Sequence, residues 1–208
     1  MKEHLTFLQE VKRNFETTGA VLPSSAALAR AVADEISPGR GGRNILEIGA
    51  GTGSCTRKIL PRLAPSDRFV VYEMNDVLFG YLRSRLEGHG HWSKYADIVD
   101  LRNEAFPKGV EDGAYDILVS GLPLNNMPPP FVEEIFEAIF RCLKPGGKFV
   151  FYEYCFIRGL KRPFVSPRDA VRLRKIGRIL EKTCKAHEVR RKTIFGNIPP
   201  AWVHVLIA

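Results

Sequence analysis

The sequence is poor in the features of membrane-spanning, exported or metal-binding chains. No apolar run approaches the roughly 18 residues that a membrane-crossing helix needs, so no helical span is expected. The N-terminus, Met1-Lys2-Glu3-His4, carries an acid and lacks the apolar core of an export signal. Cysteine is scarce: Cys55, Cys142, Cys155 and Cys184 show neither a disulfide framework nor paired metal-ligand spacing. Four scattered thiols suit a reducing cytoplasm. His4, His89, His91, His187 and His204 form no ligand set in the sequence, His89-Gly90-His91 reads as a surface turn, and no metal is expected. Acidic residues are also short, 23 against 31 Lys and Arg. The imbalance is local: between Arg158 and Lys192 stand 13 basic residues against Asp169, Glu181 and Glu188, a net of +10 that exceeds the +8 of the whole chain. Such a segment on a near-neutral body is either a solvated helix face or the contact for a polyanion, a membrane surface or nucleic acid.

The 208 residues suffice for one domain with one sizeable core. Residues 5–17 read as an amphipathic helix, with Leu5, Leu8, Val11 and Phe15 near one face, and Gly19 ends it. Pro23-Ser24-Ser25 begins a second helix running to about Ile36. From Asn44 onward, strands expected at 44–48, 68–73, 97–101, 115–120, 147–154, 188–194 and 202–207 alternate with helices at 53–63, 75–87, 130–143 and 168–185. This alternation predicts an α/β fold with a doubly wound, mostly parallel seven-stranded sheet covered on both faces. The turn Gly196-Asn197-Ile198-Pro199-Pro200 is too short for a parallel crossover, so the last strand is expected to be antiparallel. The whole chain, 1–208, reads as a single domain. Within it, 1–40 forms a helical lid or membrane-contact segment and 41–208 the catalytic core.

The strongest local signal is Ile45-Leu46-Glu47-Ile48-Gly49-Ala50-Gly51-Thr52-Gly53, a strand running into glycines that open a helix. Glycine permits the tight turn and lets a ligand approach bare backbone, and the helix start presents free N–H groups. A dinucleotide fingerprint would place its third glycine at position 54, which is Ser54. Glycines at alternate positions, with Glu47 two residues ahead, resemble instead the first motif of class I S-adenosylmethionine-dependent methyltransferases, Rossmann-like enzymes. The resemblance implies S-adenosyl-L-methionine over Glu47, Gly49, Ala50, Gly51 and Gly53. Glu73, followed by Met74, ends the second strand, where a carboxylate can accept both ribose hydroxyls. Glu104-Ala105 after the third strand is similar to the step that contacts adenine in that superfamily, and Ser120 ends the fourth strand beside the same crevice.

The methyl acceptor is expected near Gly121-Leu122-Pro123-Leu124. Enzymes that methylate adenine or glutamine nitrogen carry an Asn or Asp and an aromatic in this loop. Gly121 and Leu124 stand in those places, which disfavours adenine, although Asn125 and Asn126 lie close by. The runs Thr17–Ser25, Ser120–Pro123 and Asn197–Ala201 together resemble bacterial phospholipid N-methyltransferases of the soluble, Rhodobacter-like type. That resemblance implies methylation of phosphatidylethanolamine towards phosphatidylcholine by a cytoplasmic, peripherally membrane-associated enzyme. Its partners would be the phospholipid head group and an anionic membrane surface. Methylation of an aminolipid such as ornithine lipid, or of rRNA adenine, remains the alternative, and RNA stays open as a partner. Helix 5–17 either enters the bilayer interface or packs on the protein's own core.

A lipid amine is protonated near neutrality and must lose a proton before attack, to water or to a base. Glu153 is the candidate base, and a structural carboxylate is its other reading. Tyr152, Tyr154 and Phe156 offer aromatic faces to a quaternary ammonium or simply pack in the core. Arg158, Lys161, Arg162 and Arg168 suit a lipid phosphate.

Overall fold

Ile45, Leu46 and Ile48 leave no polar alternation in Asn44–Ile48, and the segment forms β1 at the centre of the sheet, those three side chains fully buried. A strand apolar on both faces belongs inside a parallel sheet covered by helices on each side. The computed structural model describes residues 24–39, 41–88, 90, 92–155 and 166–208. The expected helix at 5–17, the run up to Pro23, Phe156, Arg158, Lys161 and Arg162 lie outside the described residues.

The remaining strands are β2 (Arg68–Tyr72), β3 (Val99–Arg102), β4 (Tyr115–Ser120), β5 (Leu143–Tyr154), β6 (Glu188–Ile194) and β7 (Ala201–Ile207). They lie in the order β3-β2-β1-β4-β5-β7-β6. β1 pairs in parallel with β2 and β4, β2 with β3, and β4 with β5, while β7 runs antiparallel between β5 and β6. The expected fold class is therefore observed. The order reverses direction between β1 and β4, and in open α/β sheets the crevice at such a switch point, outside the carboxyl ends of the strands, is where ligands bind.

Helix α1 (Ala26–Ala33) is capped by Ser25, whose hydroxyl accepts the Leu28 N–H at 3.2 Å. The helix expected over 53–63 is only α2 (Thr56–Ile59), followed by a tight turn at Leu60–Arg62. Gly53 has φ +78°, outside helical space, and Pro61 interrupts the hydrogen-bond ladder. Helix α3 (Asp76–Glu87) starts where Asn75 Oδ1 accepts the N–H groups of Val77 and Leu78. Helix α4 (Pro129–Cys142) buries Val132, Ile135, Phe136 and Ile139, and helix α5 (Pro167–His187) buries Leu173, Ile176 and Leu180. Both show the spacing that puts apolar residues on one stripe.

Strand β5 begins four residues before the expected 147, because Leu143 already pairs with Tyr115; the register then slips and resumes at Lys148 opposite Ile117. Two apolar layers result. One holds α1, α2 and α3 with Ile45, Val71, Val150 and Val203; the other holds α4 and α5 with Leu46, Ile48, Phe149 and Phe151. Phe136 meets Phe149 and Phe151 edge-on with ring centroids 5.9 and 6.0 Å apart. Truncating a fully buried leucine such as Leu46 to alanine costs about 2–5 kcal/mol, so these layers hold the strand ends, and with them the crevice, in place.

Candidate cofactor and acceptor site

The glycines after β1 serve three different purposes. At Gly49, a Cβ would lie 2.8 Å from Leu122 Cδ2 and 3.2 Å from the Leu122 nitrogen. Across the gap, a Cβ on Gly121 would lie 2.5 Å from the Gly49 carbonyl oxygen. The loops after β1 and β4 thus approach backbone to backbone, joined by the Gly121 N–H to the Ile48 carbonyl at 2.9 Å. Gly53, by contrast, makes room for Leu82, whose Cδ1 would sit 2.7 Å from a Cβ. Only Gly51, with φ +59°, faces open space, nothing lying within 4 Å of its would-be Cβ. That is the glycine over which a ligand can lie.

Two acids converge on this loop. Glu73 Oε2 accepts the Gly51 N–H at 2.7 Å, and its Oε1 accepts the Asn75 N–H at 2.8 Å. Burial raises its pKa despite these bonds. Each carboxylate oxygen retains a further lone pair for a hydroxyl donor. Glu47 is 2% exposed, and burial lifts its carboxyl to about 7, against the opposing pull of Thr56 and with a smaller push from Glu73. Its Oε2 has no hydrogen-bond partner of normal geometry. An unpartnered buried carboxylate oxygen costs about 1–3 kcal/mol or more, and a cationic donor would satisfy it. Open space above Gly51, the orphaned Glu47 oxygen and Glu73 at the end of β2 fit the ammonium and ribose groups of the cofactor implied by the resemblance. Ala50 is buried and Met74 half-buried between these elements.

Glu104 and Ala105 lie in the turn after β3, where the Glu104 carboxylate pairs with Lys108 at 3.2 Å. The residue that ties this turn to the crevice is Asn103, whose Nδ2 donates to the Glu73 carbonyl at 3.0 Å. Sequence reasoning passed over it because an Asn at a strand end reads as an ordinary turn residue.

On the acceptor side, Ser120 is buried and its Oγ accepts the Leu122 N–H at 3.3 Å, which shapes the loop through Pro123. The position read as lacking an amide, Gly121, has no space for a side chain. Tyr152 Oη lies 3.5 Å from where a Gly121 Cβ would be and accepts a hydrogen bond from Ser24 Oγ at 2.8 Å. Tyr152 and Tyr154 pack edge to face, centroids 6.1 Å apart, against the layer that holds α1, α2 and α3. Burial raises both phenols, so they stay protonated and serve as hydrogen-bonding groups and π-faces, not as bases. Ser24 was legible only as part of a family run, since its partner lies 128 residues away.

Glu153 points to the opposite face, as strand alternation requires. Its Oε1 lies 3.4 Å from His204 Nε2, while His204 Nδ1 meets Glu188 and lies 3.8 Å from Cys184 Sγ. Burial pulls the imidazole down, but the interactions with Cys184, Glu153 and Glu188 outweigh it and lift His204 to about 9. Stacking on Phe151, centroids 4.6 Å apart, completes a buried imidazolium held between carboxylates. Of the two readings of Glu153, base or structural carboxylate, this ion pair, on the face away from Tyr152 and Tyr154, favours the structural one. Cys184, Glu188 and His204, scattered in sequence, are also the group of donors that comes within metal-ligand range among the described residues.

Comparison with known proteins follows the same lines. A family model described as a methyltransferase domain matches residues 45–147. Ornithine lipid N-methyltransferase from Singulisphaera acidiphila is 30% identical over 150 residues, covering 72% of this chain and 77% of that relative. The highly reducing polyketide synthase easB from Emericella nidulans is 36% identical over 113 residues, which are 52% of this chain and 4% of that much longer one. Among solved structures, the O-methyltransferase from Bacillus cereus in complex with SAH is similar with a TM-score of 0.66 at 18% identity, over 98% of this chain and 91% of that one. A SAM dependent methyltransferase from Aquifex aeolicus gives 0.60 at 13% identity, over 86% and 88%.

Proposed function

Because the chain belongs to the class I S-adenosylmethionine-dependent methyltransferases, we propose that its acceptor is the primary amine of a membrane aminolipid. The observation that carries this reading is the 30% identity to an ornithine lipid N-methyltransferase across most of both chains. Phosphatidylethanolamine is the second head group, favoured by the Thr17–Ser25, Ser120–Pro123 and Asn197–Ala201 runs. Adenine fits less well, because the close approach of Gly121 to Gly49 leaves no room for the amide that adenine methylation uses.

S-adenosylmethionine supplies an electrophilic methyl group on a sulfonium centre. Glu73, with the buried Glu47 carboxyl lifted to about 7 beside it, offers acceptor oxygens on its side of the crevice, and Gly51 keeps the backbone clear. Tyr152 retains its phenolic proton and takes the Ser24 hydrogen bond, which fixes the ring beside Gly121. With Tyr154 it offers π-faces that attract an ammonium and strengthen their hold as methyl groups accumulate. With Glu153 engaged by His204, the acceptor amine loses its proton to water before attack. Alignment of amine and methyl group is then the main contribution to rate.

The test is incubation with S-adenosylmethionine and vesicles containing either ornithine lipid or phosphatidylethanolamine, products being read by mass spectrometry. Methylated head groups from at least one lipid are expected, and the faster lipid identifies the substrate. Failure to methylate both would end the aminolipid reading.

A further inference from the structure

The two most exposed large apolar side chains among the described residues are Phe195, at 80%, and Ile198, at 88%. Both belong to the six-residue turn joining β6 to β7, between Ile194 and Ala201. A protein that leaves such groups in water on a loose loop needs no explanation, but this turn is built. Asn197 is 4% exposed; its Oδ1 accepts the Ser25 N–H at 3.0 Å, and its Nδ2 donates to the Pro199 carbonyl at 2.7 Å. The Cys155 N–H donates to the Pro200 carbonyl at 2.6 Å, and a Cβ on Gly196 would lie 3.1 Å from that of Ala27. The framework is held from inside while Phe195 and Ile198 are held out.

Its place in the fold is specific. Ala201 pairs with Tyr154, so the turn stands at the edge where β5 ends, the edge that carries the crevice. Ser25 and Ser24 link it to the acceptor side: Asn197 bonds Ser25, and Ser24 bonds Tyr152. Behind the tip, Arg191 stacks over the Trp202 ring with its guanidinium carbon 5.2 Å from the centroid. At about 3.3 Å per strand residue, Arg191 lies roughly 13 Å behind Phe195. From Val189 to Ala208 the chain carries Arg190, Arg191 and Lys192 and no acid. Arg190 is paired with Glu35, so Arg191 and Lys192 are the basic groups nearer the tip, and an apolar tip followed by an aromatic and basic girdle is the order of groups that a bilayer presents from acyl chains to head groups.

We propose that the Phe195–Ile198 turn is an interfacial anchor that enters an anionic lipid bilayer and sets the crevice over it. The aminolipid reading supplies its motive, and the test separates the two. The full chain is sedimented with vesicles of phosphatidylcholine alone and of phosphatidylcholine with phosphatidylglycerol. Wild type partitions to the anionic vesicles, and F195S/I198S loses about tenfold or more of that partition, the scale expected for removing two large apolar groups from an interface. V189S serves as control: Val189 is 66% exposed on the same strand at the opposite edge, and its loss changes nothing. F195W/I198L restores binding. Methylation of aminolipid dispersed in detergent is unchanged in F195S/I198S while methylation in vesicles falls in step with binding. Absence of wild-type binding, or equal binding by F195S/I198S, overturns the anchor. So does a wild-type dimer in analytical ultracentrifugation that F195S/I198S abolishes without changing vesicle binding. Wild type inactive on every aminolipid defeats the functional reading instead, and the sedimentation result still decides the anchor.

Discussion

Gly49 and Gly121 stand back to back across the β1–β4 switch point, so close that a Cβ on Gly121 would lie 2.5 Å from the Gly49 carbonyl oxygen. The atom in the way is backbone and cannot swing aside. G121A is therefore expected to lower stability by about 1–3 kcal/mol, the usual cost of overpacking, and to part the two loops. G51A should behave differently. Its φ of +59° costs a side chain about 1–2 kcal/mol, but the added methyl enters the open space proposed for the cofactor. Melting temperature and calorimetric cofactor affinity, measured together, separate the two: G121A loses more stability, G51A more affinity.

Glu73 should be an affinity residue above all. In the proposed role its carboxylate accepts ribose hydroxyls, and losing such a bond costs about 1.5–3 kcal/mol per charged hydrogen bond, so E73A is expected to weaken cofactor binding by roughly ten- to a hundredfold on that scale. Titration calorimetry reads this directly.

Glu47 carries a pH dependence whose sign follows from its raised pKa. Its folded-state value of about 7 lies above the ordinary 4.5 of a glutamate, so the folded state binds more protons between these values. Stability therefore falls as pH rises from about 4.5 to 7, and stays reduced above that. E47Q is expected to melt higher than wild type at pH well above 7 and to bind the cationic cofactor less tightly. Thermal melts across pH, with and without cofactor, check both halves.

His204 works in the other direction. Raised from 6.5 to about 9, it contributes stability that is full below about 6.5 and lost as pH rises through 9. H204Q should flatten the melting curve over that window. Because Glu153 belongs to this ion pair, E153Q should lower stability yet keep methyl transfer within a few-fold of wild type. The rate itself should climb with pH towards the acceptor amine's pKa, near the lysine value of about 10.4, in both wild type and E153Q.

Much of this was legible in the sequence where the signal is local. β4 and β6 fall at their expected bounds, and the Pro–Pro turn correctly implies an antiparallel last strand. Boundaries slipped where a single residue breaks a pattern: Gly53 and Pro61 cut the helix after the glycine loop, and Tyr115 draws Leu143 into β5 ahead of the expected start at 147. That Gly51 and Glu73 come together, with Glu47 close by, could be expected because each sits at or just past the end of an obvious strand. The purposes of Gly49 and Gly121 were not, since they depend on strands some 70 residues apart lying side by side. Nor was the cluster of Glu153, Glu188 and His204, gathered from three strands, or the exposure of Phe195 and Ile198, which no local pattern announces.

The central claim is that this methyltransferase acts on a lipid amine at a membrane surface. Its most direct test is one incubation with methyl-labelled S-adenosylmethionine in which aminolipid vesicles and rRNA compete in the same tube, followed by phase separation. The account predicts label in the organic phase, on the lipid head group. Label in the RNA with none in the lipid would contradict it.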